Sequence, residues 1–250
     1  MLVKPIKSNV IFKKDNLLQV IEELLKNHDL ENSILAITSK VISIVEGRLV
    51  PKSDFPEKSE LIYREADQYI DQKETSYGHV ITIKNNILVP SAGIDESNSE
   101  DGSYILYPEN PMQSALHLWE EIRKNFHLKN FGILITDSHT TPLRRGVLGV
   151  GLAWCGFKPN FSYIGNKDIF GRELQCTTVN VLDALAVAAV FEMGESKEQT
   201  PFSLLQNLPD RVVFQSHPPT NEEIESLNIS MEEDLYAPLL RSAPWKKHSQ

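Results

Sequence analysis

Cysteine is scarce in this 250-residue chain, with only Cys155 and Cys176 present. They stand well apart, and neither number nor spacing suggests a disulfide framework or a zinc site, so a reduced, cytoplasmic setting is expected. No block rich in Lys and Arg appears, and the formal net charge is −9 at pH 7. A nucleic-acid surface is therefore not expected. The longest apolar run, VLDALAVAAVFEM, contains Asp183 and is too short to cross a bilayer, so no membrane partner is expected. The opening residues, MLVKPIKSNVIFKKD, lack the apolar stretch of a signal peptide. The phosphate-loop signatures GxGxxG and GxxxxGK followed by Ser or Thr are both missing. Internal repeats and low-complexity tracts are absent too.

What remains is ordinary globular material, 41% apolar and 24% charged, enough for one large domain or two small ones. Asp15 opens a helical pattern through Leu17, Leu18, Ile21, Leu24 and Leu25. SILAITSKVISIVEGRLV reads as strand, turn and strand. SELIYREADQYIDQ reads as a helix. HVITIKNNILVPSAG reads as a hairpin turning at Asn85-Asn86. YILYP, NFGILITDS and RVVFQ read as strands. Pro111 begins a helix that runs to Phe126. TTVNVLDALAVAAVFEMG reads as a helix stopped by Gly194. GVLGVGLAWCG, without a lysine, reads as close backbone packing. After His217-Pro218-Pro219, Thr220 caps a short helix, and MEEDLYAPLLRS is helix or turn. Strands and helices mix without strict alternation, so the expected class is α+β, with mixed sheets and packed helices. Boundaries are expected near residue 75 and after Gly194.

Three polar clusters follow regular elements, where binding residues are commonly displayed. The first is Asp95 with Glu96 and Asn98 in SAGIDESN. The second is TDSHTTPLRRG, with Asp137, Ser138 and His139. The third is MGESKEQTP, with Glu195. Carboxylate oxygens of this kind suit Mg²⁺ or Mn²⁺. The bland readings are turn residues, a helix cap at Asp137-Ser138, and a satisfied polar side chain at His139. Arg144-Arg145 is surface charge or a phosphate contact.

The order TSKVISIVEGRLV, SAGIDESN, ITDS with PLRRG, KDIFGREL and VLDALAVAAVFEMGE resembles the coenzyme F-420:glutamate γ-ligase family. The resemblance implies an unusual α+β fold, an intertwined homodimer, GTP or ATP as co-substrate, and Mg²⁺ or Mn²⁺ as two ions. It implies metal binding by Asp95, Asp137, Ser138 and Glu195. It implies nucleotide contacts from Ser8, Asn9, Val10 and Ile11, from Ser39 and Lys40, from Asn98, and from the Gly194 to Thr200 loop with Ser196. Arg144 would neutralise a phosphate or carboxylate beside Asp137 in catalysis, and Asp183 and His139 are the candidates for a general base. The ligase domain would span residues 1–208, and 209–250 would be a C-terminal extension. Ile44 stands where the family carries a lysine, Thr141 where it carries an arginine, and Arg145 adds one nearby. These departures resemble a bacterial branch acting on folate, which makes a folate carboxylate the expected acceptor for L-glutamate. The deazaflavin coenzyme F-420 is the alternative acceptor, and a non-catalytic nucleotide- and metal-binding protein is the third reading. Within SAGIDESN the other acids, Glu96, Glu100 and Asp101, are expected to be mostly solvated.

Overall fold

SILAIT carries apolar side chains on both faces of a strand, and such a strand belongs at the centre of a sheet covered on both sides. The computed structural model, which describes residues 1–248, places it there. The chain begins with β1 (Leu2–Ile6), α1 (Leu17–Leu25), β2 (Ser33–Thr38), α2 (Ser39–Glu46) and β3 (Leu49–Val50). It continues with α3 (Lys58–Glu65), β4 (Gln68–Ile70), β5 (Ile81–Lys84), β6 (Ile87–Pro90) and β7 (Tyr104–Ile105). Then come α4 (Pro111–Asn125), β8 (Phe131–Thr140), β9 (Val147–Cys155), β10 (Asn160–Ser162) and β11 (Thr178–Asn180). The last elements are α5 (Val181–Met193), β12 (Phe202–Gln206), α6 (Asn221–Leu227) and α7 (Ala237–Leu240).

The main sheet runs β1-β12-β2-β8-β9. β2 and β8 are parallel, while the other neighbours are antiparallel. Leu35 and Ile37 of β2 pack with Ile21 of α1 and with Ala115 and Trp119 of α4. Ile34 and Ala36 face the other way, onto Leu182, Leu185 and Ala186 of α5. The period-two alternation of a strand thus feeds two separate cores. A smaller unit holds the three-stranded sheet β4-β5-β6 and α3 around Leu61, Ile62, Val80, Ala92 and Leu106. This is a mixed α+β architecture, as expected.

Several elements differ from their sequence patterns. SKVISIV is a helix rather than a turn and strand. Val41, Ile42 and Ile44 are buried, and Gly47 closes the helix at φ 75° by donating to Ser43 and Ile44 carbonyls. Tertiary burial overrode the β-branched preference there. The helix expected through Gln72 stops at Glu65, because Asp67 N–H begins pairing with Ile83 and draws the chain into β4. RVVFQ contributes only an isolated bridge, Phe214 to Phe157. α1 starts one residue later than the pattern, capped by Asn16, whose side chain accepts from Gln19 N–H. The Asn85-Asn86 turn is as expected, with both residues at positive φ, 52° and 60°. Residue 75 falls between β4 and β5, which pair in one sheet. The segment from Pro209 packs back on the body: Val212 enters the α5 core and Gln215 N–H donates to Gly156. Thr220 forms a capping box with Glu223, and Lys246 bridges to Tyr69 of the smaller unit. Residues 249 and 250 of that expected extension lie outside the described residues.

Gly149 and Gly151 let β9 approach α5 closely. A Cβ on Gly149 would stand 2.3 Å from the Ala186 carbonyl oxygen, and one on Gly151 2.4 Å from Leu182 Cγ. The Gly-rich run is therefore packing, as its sequence implied. Gly149→Ala is expected to cost about 1–3 kcal/mol through forced displacement of α5. Chemical denaturation would show it, and an unchanged midpoint would contradict the packing argument.

Candidate functional site

Parallel strands end side by side, and ligands in such sheets collect at their carboxyl ends. The register Thr38 to Thr136 between β2 and β8 places Lys40, in the first turn of α2, beside Asp137. Above these ends lies a cavity of about 470 Å³. Three further segments close it. The loop after β1 brings Ser8 to Phe12 and is tied down by Ser8 N–H donating to Gln199. The loop after the Ser91–Gly93 turn brings Asp95 and Asn98. α5 ends at Gly194, whose positive φ of 79° turns the chain so that Glu195 and the following loop face the cavity. Pro201 accepts from Thr38 N–H and returns the chain to the sheet in β12.

Negative charge gathers inside. Lys40 Nζ lies 3.2 Å from Asp95 Oδ2. Tyr107 donates its hydroxyl to Asp137 Oδ2 at 2.6 Å. Ser138 Oγ donates to Glu195 Oε2 at 3.3 Å, and Asn98 Nδ2 donates to the Ser196 carbonyl at 3.5 Å. Burial, followed by the Asp95 charge, pushes the Asp137 carboxyl up to about 7. Burial also raises Glu195; the Ser138 hydrogen bond and the Lys40 charge oppose this, and Asp95 adds to it. The Tyr107 hydroxyl is pushed well above its ordinary range by burial and by Asp137.

The structure brings together Ser8, Asn9, Val10, Ile11, Lys40, Asp95, Asn98, Asp137, Ser138, Gly194, Glu195 and Ser196, all as cavity lining. It does not bring Ser39 or Arg144 there. Ser39 is buried inside the first turn of α2, and its neighbours Thr38 and Lys40 line the wall instead. Arg144 sits on the exposed tip of the β8–β9 hairpin. The hairpin pairs on past Asp137 to Thr140, which carries its tip roughly 10 Å further along the strands. Asp183 is spent on structure: its Oδ1 accepts from Gly151 N–H and its Oδ2 from Asn180. His139 lies outside the lining, with its Nδ1 buried and unpartnered. Glu96, Glu100 and Asp101 are all exposed, as expected; Glu96 also pairs with Lys58 at 2.8 Å and Lys52 at 3.2 Å, and Asp101 accepts from Ser103 N–H.

Asp95, Asp137 and Glu195 all line the one cavity. Among the described residues no group of three His, Cys, Asp or Glu side chains is placed to hold a single metal. Their oxygens are engaged by the Lys40 ammonium and by the Tyr107 and Ser138 hydroxyls. The donors present are nonetheless all oxygen, the set that Mg²⁺ and Mn²⁺ favour, and they carry more negative charge than Lys40 offsets. Sequence reasoning missed Tyr107 because it lies in the apolar stretch YILYP with no polar cluster around it. It also missed Thr136, which the strand end brings into the wall.

Residues 5–207 match the family F420-0:Gamma-glutamyl ligase. A coenzyme F420:L-glutamate ligase of Methanopyrus kandleri is 32% identical over 195 residues, covering 71% of this chain and 76% of its own. A protein of the same name from Methanosarcina mazei is 30% identical over 237 residues, or 87% of this chain and 92% of its own. One from Methanococcus maripaludis is 30% identical over 235 residues, or 86% and 89%.

The raised Asp137 has a stability consequence. Between the ordinary 3.8 and about 7 the folded carboxyl keeps a proton that the unfolded chain has released. Stability therefore falls as pH rises through that window and stays lowered above it. In the presence of a chelator, Asp137→Asn is expected to melt above the parent at pH near 8, with the gain shrinking toward pH 4. Thermal melts across that range check this, and a variant that melts lower at the alkaline end would contradict it.

Proposed function

The chain belongs to the F420-0:gamma-glutamyl ligase family, and from that membership we propose that it joins L-glutamate to the carboxylate of a coenzyme F420-type acceptor. The names of its relatives support this acceptor. The folate acceptor expected from Ile44 and Thr141 finds no support among them. The observation that carries the ligase reading is the meeting of Asp95, Asp137 and Glu195, from three distant segments, in one cavity beside Lys40.

A free carboxylate cannot acylate an amine directly, because oxide would have to leave. In the proposed reaction an acceptor carboxylate oxygen attacks the terminal phosphorus of GTP or ATP, and the bond to the departing nucleoside diphosphate, GDP or ADP, breaks. The deprotonated amine of glutamate then attacks the acyl carbon of the mixed anhydride and phosphate leaves. Catalysis of this type rests on alignment and charge neutralisation. Asp95, Asp137, Ser138 and Glu195 would hold Mg²⁺ or Mn²⁺, which when bound offsets phosphate charge. The first N–H groups of α2 have no side-chain cap, and such groups suit phosphate oxygens. Lys40 stands in the same turn, able to leave Asp95 for a phosphate. Val10, Ile11, Phe12, Val41 and Ile44 supply apolar lining suited to a nucleobase.

We also propose a homodimer. Leu143, Ile169, Phe170 and Phe191 are large apolar side chains left strongly exposed, which supports a covering partner. Among the described residues no helix is long and apolar enough to cross a membrane. Both cysteines are free, which supports a reducing setting such as the cytoplasm.

Mixing the protein with nucleotide, Mg²⁺, L-glutamate and either a coenzyme F420-type acid or tetrahydrofolate is expected to release phosphate only when glutamate and the former acid are both present. Mass spectrometry should show the acid heavier by a glutamyl residue. Nucleotide and metal binding without product would favour a non-catalytic protein, and product from the folate alone would reverse the acceptor. Light scattering after size-exclusion chromatography is expected to give twice the chain mass, and a single-chain mass would dismiss the dimer.

A further inference from the structure

One buried phenol joins the two acidic loops. Tyr107 is only 4% exposed, and its hydroxyl donates to Asp137 of the main sheet. Its ring is gripped from the smaller unit. Ser91, Ala92 and Gly93 take positive φ in succession, at 56°, 52° and 69°, which curls the chain around the ring. A Cβ on Gly93 would fall 2.0 Å from Tyr107 Cζ and 2.5 Å from its hydroxyl oxygen, so only glycine fits against it. Two residues further on, Asp95 exchanges both backbone hydrogen bonds with Ile105, two residues before Tyr107. Arg48 Nε donates to the Tyr107 carbonyl at 3.1 Å and fixes its backbone from the other side.

We propose that Tyr107 is a positioning residue: it holds the Asp137 carboxylate and the Asp95 loop at one fixed spacing for a divalent cation. A hydroxyl donated to one carboxylate oxygen leaves the other to face the cavity, and it orients the group without adding charge. Partners of this kind behind a ligating group typically govern metal affinity by 10- to 100-fold. The three consecutive left-handed residues are otherwise unfavourable for Ser and Ala. They persist here because the turn must pass beneath the ring and then deliver Asp95 to the same cavity.

The inference rests on the metal-dependent reading above, so the test separates the two. Mn²⁺ titrated into the parent protein, followed by calorimetry or by its paramagnetic resonance signal, reports on that reading, and no binding would sink it. Given binding, Tyr107→Phe keeps the ring and removes only the donor. It is expected to bind Mn²⁺ at least 10-fold more weakly while its melting temperature stays within a few degrees. In combination with Asp137→Asn, the Tyr107 change should add no further loss, since it acts through that carboxylate. Gly93→Ala keeps the hydroxyl but displaces the ring, and is expected to weaken Mn²⁺ binding as well. Parent-like affinity in Tyr107→Phe would overturn the proposal. So would failure of both Tyr107→Phe and Gly93→Ala to fold, which would assign the residue to the scaffold.

Discussion

The parallel pairing of β2 with β8 is the constraint on which the rest of the molecule depends. Both strands are buried on both faces, and their register is held from Ser33 opposite Phe131 to Thr38 opposite Thr136. A shift by one residue would exchange the α1/α4 core for the α5 core along the whole strand. Because the register cannot slip, the two chain ends beyond it are fixed as well. One begins α2 with Lys40 and the other continues as Asp137 and Ser138. A cation and a buried carboxylate therefore stand at the same edge before any ligand arrives.

The remaining parts of the cavity are brought to that edge by separate devices. The glycines of β9 let α5 lie close to the sheet, so its C-terminal end reaches the cavity, and Gly194 turns Glu195 inward. The smaller unit hangs its Asp95 loop on the β7 backbone and meets the main sheet through Tyr107 and Asp137. Collecting negative charge in a partly buried place opposes folding. That is why the Asp137 carboxyl is raised and why Lys40 sits on Asp95. Such an arrangement suits a site whose ligands bring both positive metal and negative phosphate, and it suits an unliganded fold poorly.

Elements with one strong local signal were legible from sequence. The 3.6-residue pattern of α1, the Pro111 start of α4, the Asn85-Asn86 turn and the Gly194 stop each name their structure through local chemistry. SKVISIV was misread because its β-branched residues favour a strand locally while burial against two neighbours makes them helical. At the site, the polar residues that end regular elements were visible, because carboxylates in loops stand out from their surroundings. Arg144 was also visible, but its direction depends on how far the β8–β9 hairpin continues to pair, which no local signal reports.

Composition, apolar periodicity and turn chemistry thus determined by themselves that this is an α+β protein with three acidic loops and one helix ended by a glycine. These properties depend on neighbours a few residues apart, so they can be read along the chain. Which acids face one another, that Lys40 and two hydroxyls occupy them, and that a tyrosine from an apolar strand stands behind Asp137 were decided only in three dimensions. Asp95 and Glu195 lie a hundred residues apart in the chain. Sheet register, the close seating of α5 and the seating of the Asp95 loop on β7 together set the distance between them.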